Sequence, residues 1–176
     1  MTTLRYTMTN SNTKIQRIRR QKGGGGLMVW GMVMPNGLIW VKEVGRSFKA
    51  QNYKDLLVSH AVPVMNLNFN KYVYVHDNAR PHKAKLVEAY LHTLPYIDVL
   101  KWPAKSPDLN IIENVWKLMS DHVYANGQPE NMTELRRRIS QAVNEVNTNK
   151  RDVIINMFNN YRKRLIDVLN KRGNLL

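Results

Sequence analysis

The chain has 176 residues, 43% of them hydrophobic, which suits one domain with an appendage better than several domains. It contains no cysteine, so disulfides, thiolate zinc sites and cysteine nucleophiles are excluded and a reducing compartment fits. No run approaches the roughly 20 apolar residues of a membrane span, the opening residues lack the apolar stretch of a secretory signal, and a formal charge of +14 asks for a polyanionic partner, most often nucleic acid.

Residues 1–22 read as a basic segment: the first 42 residues contain no Asp or Glu, and Arg17, Arg19, Arg20 and Lys22 crowd the stretch before Gly23–Gly26. No Gly-Lys-Ser/Thr follows those glycines, so they read as a joint or a close backbone approach and not as a phosphate cradle. Leu27–Met34 reads as a buried strand, Pro35–Gly37 as a turn and Leu38–Val44 as the returning strand. A helix follows, with Asn52 as N-cap and Leu56, Leu57 and Ala61 at helical spacing; Pro63 is expected to end or bend it.

Lys71–Val75 is a second β-type run, rich in aromatic and β-branched residues. After Asp77, Pro81 is placed as the first residue of a helix whose apolar side carries Ala84, Val87, Tyr90, Leu91 and Leu94. Tyr96–Trp102 is a third strand, and residues 103–110 form a proline-stiffened loop. The next helix carries Leu109, Ile112, Trp116 and Met119 on one face. Two more helices close the chain, one with Leu135, Ile139, Ala142, Val143 and Val146 in register, the other running from Ile154 to Leu169, with Gly173 at its C-terminal stop. Strands and helices alternate in residues 23–125, and residues 126–176 form a helical extension, so the class is α/β with a small mixed sheet.

Asp77 falls at the carboxyl end of a strand, where the sites of open α/β sheets gather. Glu113 falls in the first turns of the helix after the next strand, which can bring it back over the strand ends. Two carboxylates meeting there, on a basic protein, could hold Mg²⁺ against a phosphodiester, because hard oxygen ligands suit that ion. A plainer reading stays open: Asp77 as a turn residue capping the helix at Pro81, and Glu113 as a helix-start acid favoured by the dipole. His76 and His82, five residues apart with no other strong ligand beside them, are a weak basis for zinc.

The letters are more specific than the spacing. "GGGGLMVWGMVMPNGL", "HDNARPHKAK" and "WPAKSPDLNIIENVWKLM", in that order, closely resemble the catalytic domain of mariner/Tc-type transposases over roughly Lys22 to Met119. The resemblance implies an RNase H-like fold, a DDE site using Mg²⁺ or Mn²⁺, cleavage and transfer of DNA strands, and a nuclear setting. It matches Asp77 and Glu113 to the second and third metal-binding acids. It also matches Asn78, His82, Asp108 and Asn110 to positions that shape the site or its loop. Arg17, Arg19, Arg20, Lys22, Arg80, Lys83, Lys85 and Lys105 become candidate DNA contacts.

The resemblance also exposes a gap. In this family the first acid lies on the first, central strand, upstream of the glycine tract, and no acid precedes Glu43 here. The expectation is therefore an RNase H-like sheet lacking its central strand, with C-terminal helices, inactive as an isolated chain. DNA is the expected partner, either on a homodimer or on a pairing with a full-length transposase, and no membrane is involved. Two other readings remain: a domesticated DNA-binding module without catalysis, and an RNA-binding or ribosome-associated basic protein.

Overall fold

The computed structural model describes residues 26–66, 71–103, 106 and 109–170. Arg17, Arg19, Arg20, Lys22, Lys105, Asp108 and Gly173 lie outside these residues.

Strands β1 (Met28–Val33) and β2 (Ile39–Val44) form an antiparallel hairpin in which Val33 faces Ile39 and Met28 faces Val44. The Pro35–Gly37 turn closes as expected, and Gly37 supplies the positive φ of +82° that the turn needs. β1 is buried on both faces because its side chains alternate between two cores. Leu27 and Val29 point into one core with Ile39, Val115, Trp116, Met119, Leu135, Ile139 and Ile154. Trp30, Met32 and Met34 point into the other, with Tyr53, Leu57, Val87, Leu91 and Ile97.

Helix α1 (Ala50–Leu56) starts earlier than the sequence suggested. Lys49 is the N-cap, and Asn52 sits inside the first turn, its side-chain oxygen accepting from the Lys49 amide at 3.0 Å. Pro63 does not end the helix. A π-helical turn, Leu57–Ala61, opens the ladder just before it, and α2 (Val62–Asn66) continues. Proline has no N–H to donate, and a widened turn is where its ring and the missing bond are accommodated.

Strand β3 (Tyr72–Tyr74), helix α3 (Lys85–His92) and strand β4 (Ile97–Val99) make a parallel crossover in which Val73 faces Asp98. Pro81 is not the first helical residue. Arg80–Lys83 is a turn in which the His82 and Lys83 amides both donate to the Ala79 carbonyl, and α3 begins only at Lys85. The side chain of His82 returns to Asp77, which keeps this segment out of the helical path.

Helix α4 (Ile111–Val123) is capped by Asn110, whose side chain accepts from the Ile112 amide at 3.3 Å, so Leu109 precedes the helix. Helix α5 (Met132–Asn149) is capped by Asn131 and by Glu134, which accepts from the Glu130 amide at 2.6 Å. The last expected helix is two: α6 (Arg151–Asn159) and α7 (Tyr161–Asn170) break at Asn160, whose side chain donates to the Asn156 carbonyl at 2.9 Å.

The strands do not form one sheet. Among the described residues there are two two-stranded sheets, β1–β2 and β3–β4, and nothing pairs β1 with β3. The outer edge of β2, by contrast, is covered at its first residue. Asn147 of α5 accepts from the Ile39 amide at 2.9 Å and donates to the Ile39 carbonyl at 3.0 Å, a side-chain amide imitating a neighbouring strand.

Candidate active site

The side of β1 away from β2 and the side of β3 away from β4 border one cavity of ≈ 420 Å³. Trp30 to Pro35 line one wall, Lys71 to Asp77 another, and Asn110, Ile112 and Trp116 contribute from the start of α4. Asp77 and His82 are also among its lining residues.

Local chain chemistry fixes Asp77. It follows β3 by three residues, and its carboxylate Oδ1 accepts from the Ala79 amide at 3.0 Å, an Asx turn that reverses the chain. The same oxygen lies 2.6 Å from His82 Nδ1. A carboxylate can only accept, so Nδ1 carries the proton and donates. His82 is 3% exposed, and its Nε2 is buried without a hydrogen-bond partner among the described residues. Burial pushes the Asp77 carboxyl up, but the hydrogen bonds from His82 and Ala79 are among the interactions that more than offset it, holding the group well below the usual carboxylate range.

An aromatic stack carries His82 from behind. The His76 ring lies parallel to it with centroids 5.3 Å apart, and the Tyr53 ring lies 4.0 Å away. The Tyr53 hydroxyl meets the Tyr74 hydroxyl at 2.8 Å and His76 Nδ1 at 3.4 Å. Burial, reinforced by neighbouring His82, pushes His76 down to about 4, so it is neutral at pH 7. The stack thus places an uncharged ring against His82.

The other expected residues divide. Asn78 donates to the Trp102 carbonyl at 3.0 Å and so ties the Asp77 turn to the loop after β4. Asn110 lines the cavity as the cap of α4. Glu113 sits in the first turn of α4, half-buried, and is not one of the cavity's lining residues. Arg80, Lys83 and Lys85 are exposed on the turn and helix start beyond Asp77. Tyr53, Tyr74 and Asn147 carry structural weight that periodicity and motif gave no sign of. Trp116 packs its ring on Gly31, which explains why β1 needs a glycine in the middle of "MVWGMV".

The fit to a divalent cation is partial. The donor type is right, since Asp77 and Glu113 are carboxylates. The donor number is short: among the described residues no group of three or more His, Asp or Glu is arranged to hold a metal, and Asp108 is the one acidic residue outside them. The described residues do not make a complete cage.

A model of the DDE superfamily endonuclease family matches residues 1–136. The chain is 28% identical over 166 residues to the transposable element Tc3 transposase of Caenorhabditis elegans, a match covering 89% of this chain and 47% of that protein. It is 30% identical over 96 residues to the Tcb1 transposase of Caenorhabditis briggsae, covering 54% of this chain and 35% of that protein. The chain therefore spans about half the length, or less, of these relatives. Among solved structures, the catalytic domain of Mos1 mariner transposase superposes with a TM-score of 0.72 at 18% identity, covering 85% of this chain and 76% of that chain. The same domain is known with raltegravir and Mg, and Mos1 transposase is known in a paired-end complex with the left transposon end. The fold is accordingly that of the mariner catalytic domain, with its RNase H-like arrangement of mixed strands and flanking helices.

Proposed function

The chain belongs to the DDE superfamily endonuclease family, and from that premise we propose that it forms the larger part of a transposase catalytic core that binds DNA but is not competent for strand cleavage by itself. The observation that carries the reading is the Asp77 site: an ionised carboxylate just past the end of a strand, fixed by His82 and Ala79, in the lining of a cavity. In this reading Asp77 and Glu113 are the second and third metal-binding acids. A divalent cation held between them would polarise a phosphodiester.

The chain's own residues do the rest. His82 and the Ala79 amide hold Asp77 in one rotamer and keep it charged. Asn78 and Asn110 order the loop and helix that present Glu113. Arg80, Lys83 and Lys85, exposed next to Asp77, meet the phosphates on either side of the reacting one. Nuclear location belongs to the same proposal.

That no group of three acids or histidines is arranged for a metal among the described residues favours a second reading, a DNA-binding module that does no chemistry. Both readings separate from an RNA-binding protein in a competition of duplex DNA against structured RNA across a salt series. Preference for duplex DNA with a steep salt slope supports a DNA-directed core; preference for RNA overturns it.

A further inference from the structure

We infer that the loop between β2 and α1, residues 45–49, is a second phosphate-contacting wall beside the Asp77 turn, and that Arg46 and Lys49 hold the backbone of a DNA duplex there. The inference rests on the DNA-directed reading and deepens it, because neither residue is among the cations singled out beside the sequence motifs.

Ring contacts carry the loop to the acid. Phe48 packs edge-on against the Tyr53 ring, with centroids 6.3 Å apart. Tyr53, near the start of α1, lies 4.0 Å from the His82 ring, and His82 Nδ1 lies 2.6 Å from Asp77. Tyr53 and His82 are both buried. Asn52 accepts from the Lys49 amide at 3.0 Å, which fixes the point where the loop becomes helix. Core packing, and not the exposed backbone of the loop, therefore sets where Arg46 and Lys49 stand relative to Asp77.

The surface of the loop is cationic. Phe48 is half-buried, while Gly45, Arg46, Ser47 and Lys49 are exposed. No large apolar side chain is exposed in the loop, so it offers little to an apolar partner. Among the described residues neither Arg46 nor Lys49 is in an ion pair. Glu43, the acid just before the loop, is taken by Arg136, whose guanidinium donates to it at 2.8 and 2.9 Å. Asp55 of α1 accepts from Gln51.

The arginines of α5 show the difference. Arg136 is engaged by Glu43, and Arg138 donates to Glu134 and to the carbonyls of Val123 and Gly127. Those guanidiniums tie the fold to itself. Arg46 and Lys49 come from one stretch of chain, Arg80, Lys83 and Lys85 from another, and the two sets converge on one carboxylate turn. Gathering like charges disfavours the compact state unless a polyanion receives them. A duplex lying across the turn meets both sets, and its phosphates fix its register over Asp77 without any reading of bases.

The test measures binding of duplex DNA by the full chain in EDTA across a salt series, so that no metal enters. One variant is Arg46→Gln with Lys49→Gln. The other makes an equal change of charge elsewhere, Lys150→Gln with Arg151→Gln. That second pair stands at the turn end of the hairpin, where Arg151 donates to the Asn36 carbonyl at 3.1 Å. The inference predicts that the loop pair lowers the slope of log K against log salt by about 2, one phosphate contact for each cation. The Lys150 and Arg151 pair keeps the parent slope, and so does the exchange Arg46→Lys with Lys49→Arg. Should circular dichroism show the glutamine loop pair unfolded, Arg46→Gln alone is read, with a slope lower by about 1. The inference alone is overturned if the parent binds duplex and the loop pair keeps its slope, or if both glutamine pairs lower it equally. A parent chain that binds no duplex overturns the proposed function together with it.

Discussion

His82 Nδ1 donates to Asp77 Oδ1 across 2.6 Å, from a ring that is almost wholly buried to a carboxylate that is one-third exposed. The pair fixes the direction of the acid before any ligand arrives. Replacing His82 with Ala removes that donor and leaves a void under Asp77. We expect a loss of about 1–3 kcal/mol of stability and a rise of the Asp77 carboxyl toward its ordinary value, read by a carboxyl-carbon NMR titration. An Asp77 titration that does not move would show that His82 is only filler.

His76 gives the fold an acid-side limit. Its folded value is depressed to about 4 by burial and by His82, while the unfolded ring titrates near 6.5. The unfolded chain therefore binds the proton first as pH falls. Stability from this group is fully present above about 6.5 and is lost as pH drops toward 4. Asp77 adds to the loss at lower pH, because its own depressed carboxyl stabilises the fold only while ionised. Thermal midpoints should fall between pH 6.5 and 4, and His76→Phe should flatten that part of the curve. An unchanged slope in His76→Phe would mean that another group is responsible.

Gly31→Ala should cost about 1–3 kcal/mol, because a Cβ there overlaps the Trp116 ring and the core is already filled. Adding Trp116→Leu should recover part of the loss. A double variant no better than the sum of the two single changes would show that the contact is not the cause.

Asn147→Leu should leave the Ile39 amide and carbonyl without partners, at about 1–3 kcal/mol. It should also uncover the start of the β2 edge, so light scattering should report more self-association than the parent chain shows at equal concentration. A monodisperse variant would show that the edge needs no cover.

The elements that depend on local pattern were legible in the sequence. The Pro35–Gly37 hairpin follows from its turn residues, and α4 and α5 follow from their apolar stripes. The misreadings came where a distant partner overrides local preference. Pro63 was expected to stop a helix that a π turn carries through. Pro81 was expected to start one, but the His82–Asp77 pair holds that segment in a turn. Asn160 splits a helix whose apolar repeat runs on without a break. In the site, Asp77 could be singled out because it follows a β-type run. The Tyr53–His76–His82 stack and the Asn147 edge cover join residues far apart in the chain, and no spacing rule marks them.

The measurement that bears most directly on the account is nicking of supercoiled DNA by the purified chain with Mg²⁺ or Mn²⁺, beside Asp77→Ala. The account predicts no nicking above background for either protein, with DNA binding retained by both, because the acids of the described residues do not complete a metal cage. Robust nicking by the parent chain that Asp77→Ala abolishes would contradict it.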